Sequence, residues 1–364
     1  MSGQYDELLT TVGGPPREAL DRLIYVVGSA RGGTSITQAI LAQHDSVIAM
    51  RGPSSFLNHV WRYRNKVHER LWRQLLWTPG YLRRAPVRDS LKGNRRDAFI
   101  KLINVAVSEK KLRDVYRLYP LVRALDPDES RDPGAMKAWL DKGNDFWGVR
   151  LLPEAFPQGR FVFVMRDPRG AVASLSKRFA DLRADSELKV EPVDIITTAI
   201  YWRNLVREQL RFARSHAGQT ILFRFEDLTR RPVELTQSLY DALGLPAVPK
   251  SEIARKLDKL AYGTSLENER SATGISTAPN ERWKKKLDNE SVALIASICG
   301  PSAKVLGYEL PNRSVLSGFA AIFRHVPGSR QKLGLLAKLA YLTLTDWQGR
   351  VPGMSSSMRL LEAK

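Results

Sequence analysis

Two short segments of the chain carry residues that could grip a dianion. The first is GSARGGTS, residues 28–35. In a glycine-rich turn that leads into a helix, successive backbone N–H groups converge on an anion, and the helix dipole adds positive potential. Gly32 and Gly33 let the backbone approach a ligand without an intervening Cβ. Arg31 adds a cation, and Thr34 and Ser35 add hydroxyls. The spacing nearly matches G-x-x-x-x-G-K-[ST], with Thr34 where the lysine belongs. In nucleoside triphosphatases that lysine reaches the β/γ-phosphates, and the following hydroxyl holds Mg²⁺. A loop without it suits a shorter 5′ group and no bridging metal. The second segment is FVFVMRDPRGAVASLSKR, residues 161–178. Arg166 ends an apolar run, Asp167 can cap a helix, and Pro168 can take its first position. Ser174 and Arg178 are four apart and share a helix face. An Arg–Ser–Arg clasp of this kind suits a phosphate monoester.

Residues placed this way need strands and helices to hold them. The apolar run Leu23–Val27 reads as a strand covered on both faces, followed by a helix from Thr34 to about Gln43. Phe161–Met165 reads as a second strand, residues 193–213 as a long amphipathic helix, and Ile221–Phe225 as a third strand. After EDLTRRP, a further helix stops at LGLP, where Gly244 and Pro246 terminate it. Strands alternating with helices predict an α/β fold on a parallel sheet. Residues 1–20 are polar, include GGPP, and read as an N-terminal arm. The main domain is expected over 21–311, with a helical basic insertion at about 60–140. Between Trp61 and Arg117 there are 16 Lys/Arg against 5 Asp/Glu, with tryptophans at 61, 72 and 77. Such interleaving fits amphipathic helices with solvated basic faces, or a surface for nucleic acid or sugar. Residues 312–364 contain LSGFAAIFRHV and KLGLLAKLAYLTLTDW, apolar segments edged with Lys and Arg. They read as an amphipathic extension that packs on the domain or lies on an anionic membrane surface.

Composition bounds the function classes. The 364 residues, 43% hydrophobic and 26% charged, suffice for a sizeable core. A formal charge of +19 predicts attraction to polyanions: a phosphorylated cofactor, an acidic glycan, anionic lipid or nucleic acid. The single cysteine, Cys299, rules out an intramolecular disulfide and a multi-cysteine metal site, and the five histidines show no metal-ligand spacing. The first twenty residues lack the pattern of a signal peptide, and no apolar run reaches a spanning length. A cytoplasmic protein is expected, with peripheral contact at the inner face of a membrane as the variant.

The two segments together resemble the PAPS-dependent sulfotransferases (PAPS is 3′-phosphoadenosine 5′-phosphosulfate). In that family a PRSGTT-type loop holds the 5′-phosphosulfate, and RDPR…S, with its serine eight residues after the first arginine, holds the 3′-phosphate. Here these read ARGGTS and RDPRGAVAS, with Arg166 and Ser174 at that spacing. Arg178 matches a basic residue of some members. WLDKGN, with Lys142, is similar to the family's lysine segment. RFEDLTRRP…LYDALGLP is similar to its YEDL…LGLP stretch, and ERWKKKL before LGYEL to its late W…L…LGY stretch. The resemblance runs from about residue 23 to 310. It implies a three-layer α/β sandwich with a central parallel sheet and a P-loop-like phosphosulfate loop. It also implies sulfuryl transfer from PAPS to an acceptor hydroxyl, releasing PAP, with no metal. By resemblance, Arg31, Gly32, Gly33, Thr34, Ser35, Arg166, Ser174, Arg178, Phe225 and Arg282 bind the cofactor. Arg31 and Lys142 stabilise the reacting group.

The pattern departs from the family in three places. Gly32 replaces a serine, Phe225 replaces a tyrosine, and QHDSVIAMRGPSSF has Arg51 and Gly52 where many relatives carry a catalytic glutamate. A hydroxyl acceptor must lose its proton to a base. His59, the nearest downstream imidazole, is the first candidate; Asp141 is a second, His68 lies further on, and His44 matches a structural position. The basic segment suggests a carbohydrate or glycolipid acceptor. A small lipid or phenolic metabolite, or a peptide tyrosine, is the alternative. A degenerate P-loop kinase or NTPase is the competing class. Its Walker B strand would have to end in Arg166 ahead of Asp167. A nucleic-acid-binding role is not expected, because it leaves both anion motifs unexplained.

Overall fold

The computed structural model describes residues 2–50, 91–108, 112–143, 148–182, 192–262, 272–312, 314–326, 328–347 and 361. Its centre is a five-stranded parallel sheet: β1 (Leu23–Gly28), β2 (Val47–Ala49), β3 (Ala138–Gly143), β4 (Arg160–Met165) and β5 (Thr220–Arg224). The spatial order is β2-β3-β1-β4-β5. Every residue of β1 and β3 is buried. A strand covered on both faces needs such a run, because neither face can carry solvated side chains.

The chain divides into two compact units. The first comprises Met1–Val27, Ser35–Val162 and Thr236–Gly274. Within it β1 and β3 pair in parallel, with Val26 opposite Lys142, and β2 continues the ladder with Val47 opposite Ala138. Helices α1 (Ser2–Val12) and α2 (Arg17–Asp21) belong to this unit. The expected polar arm is therefore helical, and it buries Tyr5, Leu9, Val12 and Leu20. The buried Arg117 guanidinium ties it down by pairing with Asp21 and Asp114, and it lies 6.0 Å from the Tyr5 ring centre. Of the expected helical insertion, α4 (Asn94–Ser108) and α5 (Leu112–Ala124) are described, following α3 (Thr34–Leu41). Trp61, Trp72 and Trp77 lie outside the described residues.

The second unit comprises Gly28–Thr34, Phe163–Leu235 and Ile275–Lys364. Strand β4 leads into α6 (Pro168–Leu182), and the long α7 (Pro192–Ser215) packs against it through the Ser176–Thr198 hydroxyl pair at 2.7 Å. Strand β5 ends one residue before the expected Phe225, which instead starts α8 (Phe225–Arg230). The Leu361 amide donates to the Leu222 carbonyl of β5 at 2.7 Å. The C-terminal extension forms α11 (Val315–His325) and α12 (Ser329–Trp347), after α9 (Pro232–Ala242) and α10 (Asn289–Val305). No helix among the described residues is long and apolar enough to cross a membrane.

Candidate functional site

The glycine-rich loop, residues 28–34, lies in the second unit. Arg31 sits at φ 64° and Gly33 at φ 105°, both in the left-handed region. For Arg31 this conformation is costly, and it persists only where its surroundings hold it. A Cβ on Gly33 would collide with the Phe225 ring, and one on Gly32 would meet Ser29 Oγ at 2.6 Å. Both glycines therefore line a backbone that has no room for side chains on that side. Thr34, the last loop residue, is buried and opens α3.

The second motif meets this loop directly. Arg166 leaves β4 buried, and three contacts set its guanidinium. It donates to the Arg31 carbonyl at 2.5 Å and to the Pro279 carbonyl at 2.9 Å, and it lies 4.7 Å from the Phe225 ring centre. Its Nε is buried without a hydrogen-bond partner among the described residues. Burial pulls the Arg166 pKa down, and the neighbouring Glu226 charge opposes that shift. A buried donor on a cation with no acceptor is costly, and it is relieved when an anion arrives. Arg31 Nε in turn donates to Ser174 Oγ at 3.1 Å, so Arg31, Arg166 and Ser174 come together as one cationic cluster.

Several groups hold Arg166 in place. Trp202 Nε1 donates to its carbonyl at 3.2 Å from α7. Asp167 caps α6: its Oδ1 accepts the Arg169 amide at 2.8 Å, and the same carboxylate takes the Arg169 guanidinium at 2.6 Å. An aspartate engaged in this way anchors a helix and is not spare for a Mg²⁺-bound nucleotide. Arg169 also lies 4.4 Å from the Trp283 ring centre. Glu226 accepts the Asp167 amide at 3.0 Å and the Tyr308 hydroxyl at 2.8 Å. Burial raises the Glu226 pKa, and these two hydrogen bonds counter it. Asn280 donates to Thr229 Oγ1 at 2.7 Å, which fixes the segment that presents the Pro279 carbonyl. Arg178 lies in α6, but its side chain is outside the described residues. Arg282 is exposed on a 3₁₀ turn, Arg282–Lys285.

Ser35 and Lys142 both belong to the first unit. WLDKGN proves to be most of strand β3, which carries no apolar signature at Asp141 and Lys142. Lys142 Nζ donates to Ser35 Oγ at 2.8 Å. Burial lowers the Lys142 pKa, and the adjacent Asp141 charge pushes it back up. Asp141 is fully buried, with Oδ2 accepting the Tyr116 hydroxyl at 2.5 Å and Oδ1 accepting the Lys142 amide at 2.7 Å. Burial, and then Asp141, hold the Tyr116 pKa well above its usual value. Both Asp141 oxygens are thus committed, which suits an anchor beside Lys142 rather than a proton acceptor. His44 is structural: Nδ1 faces Ser46 Oγ at 2.9 Å and Nε2 faces the Pro246 carbonyl at 3.0 Å. His59, His68, Arg51 and Gly52 lie outside the described residues.

Residue pattern marks Arg31, Arg166 and Ser174, and the structure adds Glu226, Tyr308, Trp202 and the Pro279 carbonyl. Glu226 stands inside RFEDL, so its segment is visible in the sequence although its role is not. A backbone carbonyl such as that of Pro279 leaves no mark in a sequence. No group of three or more metal-ligating side chains occurs among the described residues.

Comparison with known proteins agrees with this architecture. The sequence profile of the sulfotransferase family matches residues 24–249, more than half of the chain. Carbohydrate sulfotransferase 1 of Mus musculus is 26% identical over 164 residues, covering 42% of this chain and 39% of that protein. Carbohydrate sulfotransferase 3 of Homo sapiens is 26% identical over 168 residues, covering 42% of this chain and 34% of that protein. The chain thus matches well under half the length of these relatives. The sulfotransferase domain of the Synechococcus PCC 7002 olefin synthase superposes with a TM-score of 0.50 at 17% identity, over 82% of this chain and 97% of that domain. That likeness is one of fold.

Proposed function

Because the chain belongs to the sulfotransferase family, we propose that it moves a sulfuryl group from PAPS to a hydroxyl of a carbohydrate acceptor. The observation that carries this reading is the buried Nε of Arg166, without a hydrogen-bond partner among the described residues, beside a left-handed glycine loop. Cation, loop backbone and Ser174 are the donors a phosphate monoester needs. The carbohydrate acceptor is suggested by the relatives' names and by the basic character of the chain.

PAPS, when bound, supplies the sulfuryl group and leaves as PAP. Arg31, Gly32, Gly33, Thr34 and Ser35 of the loop would hold the 5′ end. Arg166, Ser174 and Arg178 hold the 3′-phosphate, and Phe225 and Arg282 complete the binding set. Arg31 and Lys142 oppose negative charge on the leaving oxygen and the transferred group. Donors already fixed in place lower a barrier without reorganisation. The Lys142–Ser35 bond supports this role for Lys142, because it aims the ammonium at the residue after Thr34. His59 is the proposed proton acceptor. His59→Gln should bind PAP like the parent and lose turnover by roughly 10²-fold or more; unchanged turnover removes it from the mechanism.

Thermal melting tests the donor. PAP or PAPS in large excess over its Kd should stabilise the protein by about 3 kcal/mol, and ATP–Mg²⁺ should leave it unchanged. The reverse pattern would overturn the proposal in favour of a nucleoside triphosphatase. Labelled PAPS offered to glycans, glycolipids, phenols and tyrosine peptides then tests the acceptor, with transfer to glycans expected.

A further inference from the structure

Surface helices normally turn one apolar face to the core and a polar face to water. The two C-terminal helices do not. In α12, Leu339 and Leu342 are buried. The opposite side carries Leu333, Ala337, Ala340 and Leu344, spaced 4, 3 and 4 apart, so they form one stripe. Leu333 is 69% exposed and Leu344 52%, and Tyr341, beside them, is also exposed. The same arrangement recurs in α11, where Ile322 is buried while Leu316 (75% exposed), Ala320 and Phe323 (61%) form an outward stripe. The helices adjoin, because Lys332 Nζ of α12 lies 5.7 Å from the Phe323 ring centre of α11.

The charge pattern selects what could cover these stripes. Arg324, Arg330, Lys332 and Lys338 border them, and Asp346, in the last turn of α12, is the only carboxylate in the sequence of either helix. Glu290 offsets part of this at one end, 3.6 Å from Arg324 and 3.2 Å from His325. A second copy of the chain would set these cations against their own symmetry mates. An anionic bilayer surface matches both properties at once: the stripes enter the headgroup boundary and the basic side chains meet lipid phosphates.

We propose that α11 and α12 form a peripheral docking surface for anionic lipid bilayers. The surface stands apart from the catalytic reading, so its test uses no activity measurement. The full chain is mixed with vesicles of phosphatidylcholine alone, or of phosphatidylcholine with phosphatidylglycerol, and the bound fraction is read by flotation. Binding is expected to the anionic vesicles, weakened by salt, and absent with phosphatidylcholine alone. The variant Leu316→Glu/Leu333→Glu/Leu344→Glu should bind at least roughly tenfold more weakly. Arg330→Glu/Lys338→Glu, which leaves the stripes apolar, should lose the anionic preference. A cooperative melting transition at the parent's temperature establishes that each variant folds. Undiminished vesicle binding by both folded variants, no binding by the parent chain, or equal binding to both vesicle types would overturn the proposal. So would sedimentation showing a parent dimer that the apolar variant converts to monomer without any change in vesicle binding.

Discussion

At the scale of single residues, the site depends on where charge is buried. Arg166 holds two carbonyls and a ring, and its Nε is buried with no hydrogen-bond partner among the described residues. Arg166→Ala should abolish the PAP-induced thermal shift. Arg166→Lys should not restore it, because an ammonium lacks the planar fork that reaches several acceptors at once. A parental shift in either variant would refute the assignment. Lys142 gives a pH signature. Burial lowers its pKa below the ordinary lysine value of 10.5, and Asp141 opposes that shift. The protonated form exists below the pKa, so turnover that needs the ammonium falls as pH rises through it. The alkaline limb should therefore lie below that of an ordinary lysine. Asp141→Asn removes the opposing charge and should move the limb further toward neutral. The kcat–pH profile of the two proteins reads this, and coincident limbs would dissociate Asp141 from Lys142.

At the scale of elements, the loop between β1 and α3 is held from outside. Gly33 needs φ 105°, and the Phe225 ring at the start of α8 fills the space where a Cβ would go. Gly33→Ala should destabilise the protein by about 1–3 kcal/mol from backbone strain alone, with the collision adding to it. Adding Phe225→Ala should relieve the collision but not the strain. Urea midpoints of the single and double variants separate the two, and a neutral Gly33→Ala would show that the loop is not held in this conformation. Capping by Asp167 and the Glu226 carboxylate make the start of α6 a fixed point. Ser174, two turns on, inherits that position.

At the scale of the whole molecule, the charge of +19 acts on every anionic ligand. Long-range attraction is screened over about 10 Å at 0.1 M salt, whereas contacts in a buried site persist. PAP affinity measured by titration calorimetry should therefore fall several-fold from low to high salt. The melting temperature of the ligand-free protein should hold or rise over the same range, since salt also relieves self-repulsion. A salt-independent PAP affinity would show that the net charge plays no part in recognition.

Much of the site is legible in the amino-acid sequence itself. An anion loop is a local object: strand, glycines, hydroxyls and helix start lie within a dozen or so residues, and their periodicity and spacing are written in order. The same holds for Arg166, Asp167 and Ser174, because strand end, cap and helix face follow from neighbouring residues. Two elements are not legible in this way. Strand β3 carries Asp141 and Lys142 in a wholly buried run, against the apolar rule for such strands. The N-terminal segment reads as polar because its buried apolar residues, Tyr5, Leu9 and Val12, are few and spaced along one helix face. By its sequence alone, the chain is committed to a parallel α/β sheet and a glycine-rich loop without the triphosphatase lysine, since backbone geometry and capping depend on near neighbours. Only the tertiary structure decides that Arg166 turns to the Arg31 and Pro279 carbonyls and to Phe225, that Glu226 balances its charge, and that α11 and α12 keep apolar stripes in the open. Those outcomes depend on which distant surfaces meet, and no local pattern carries that.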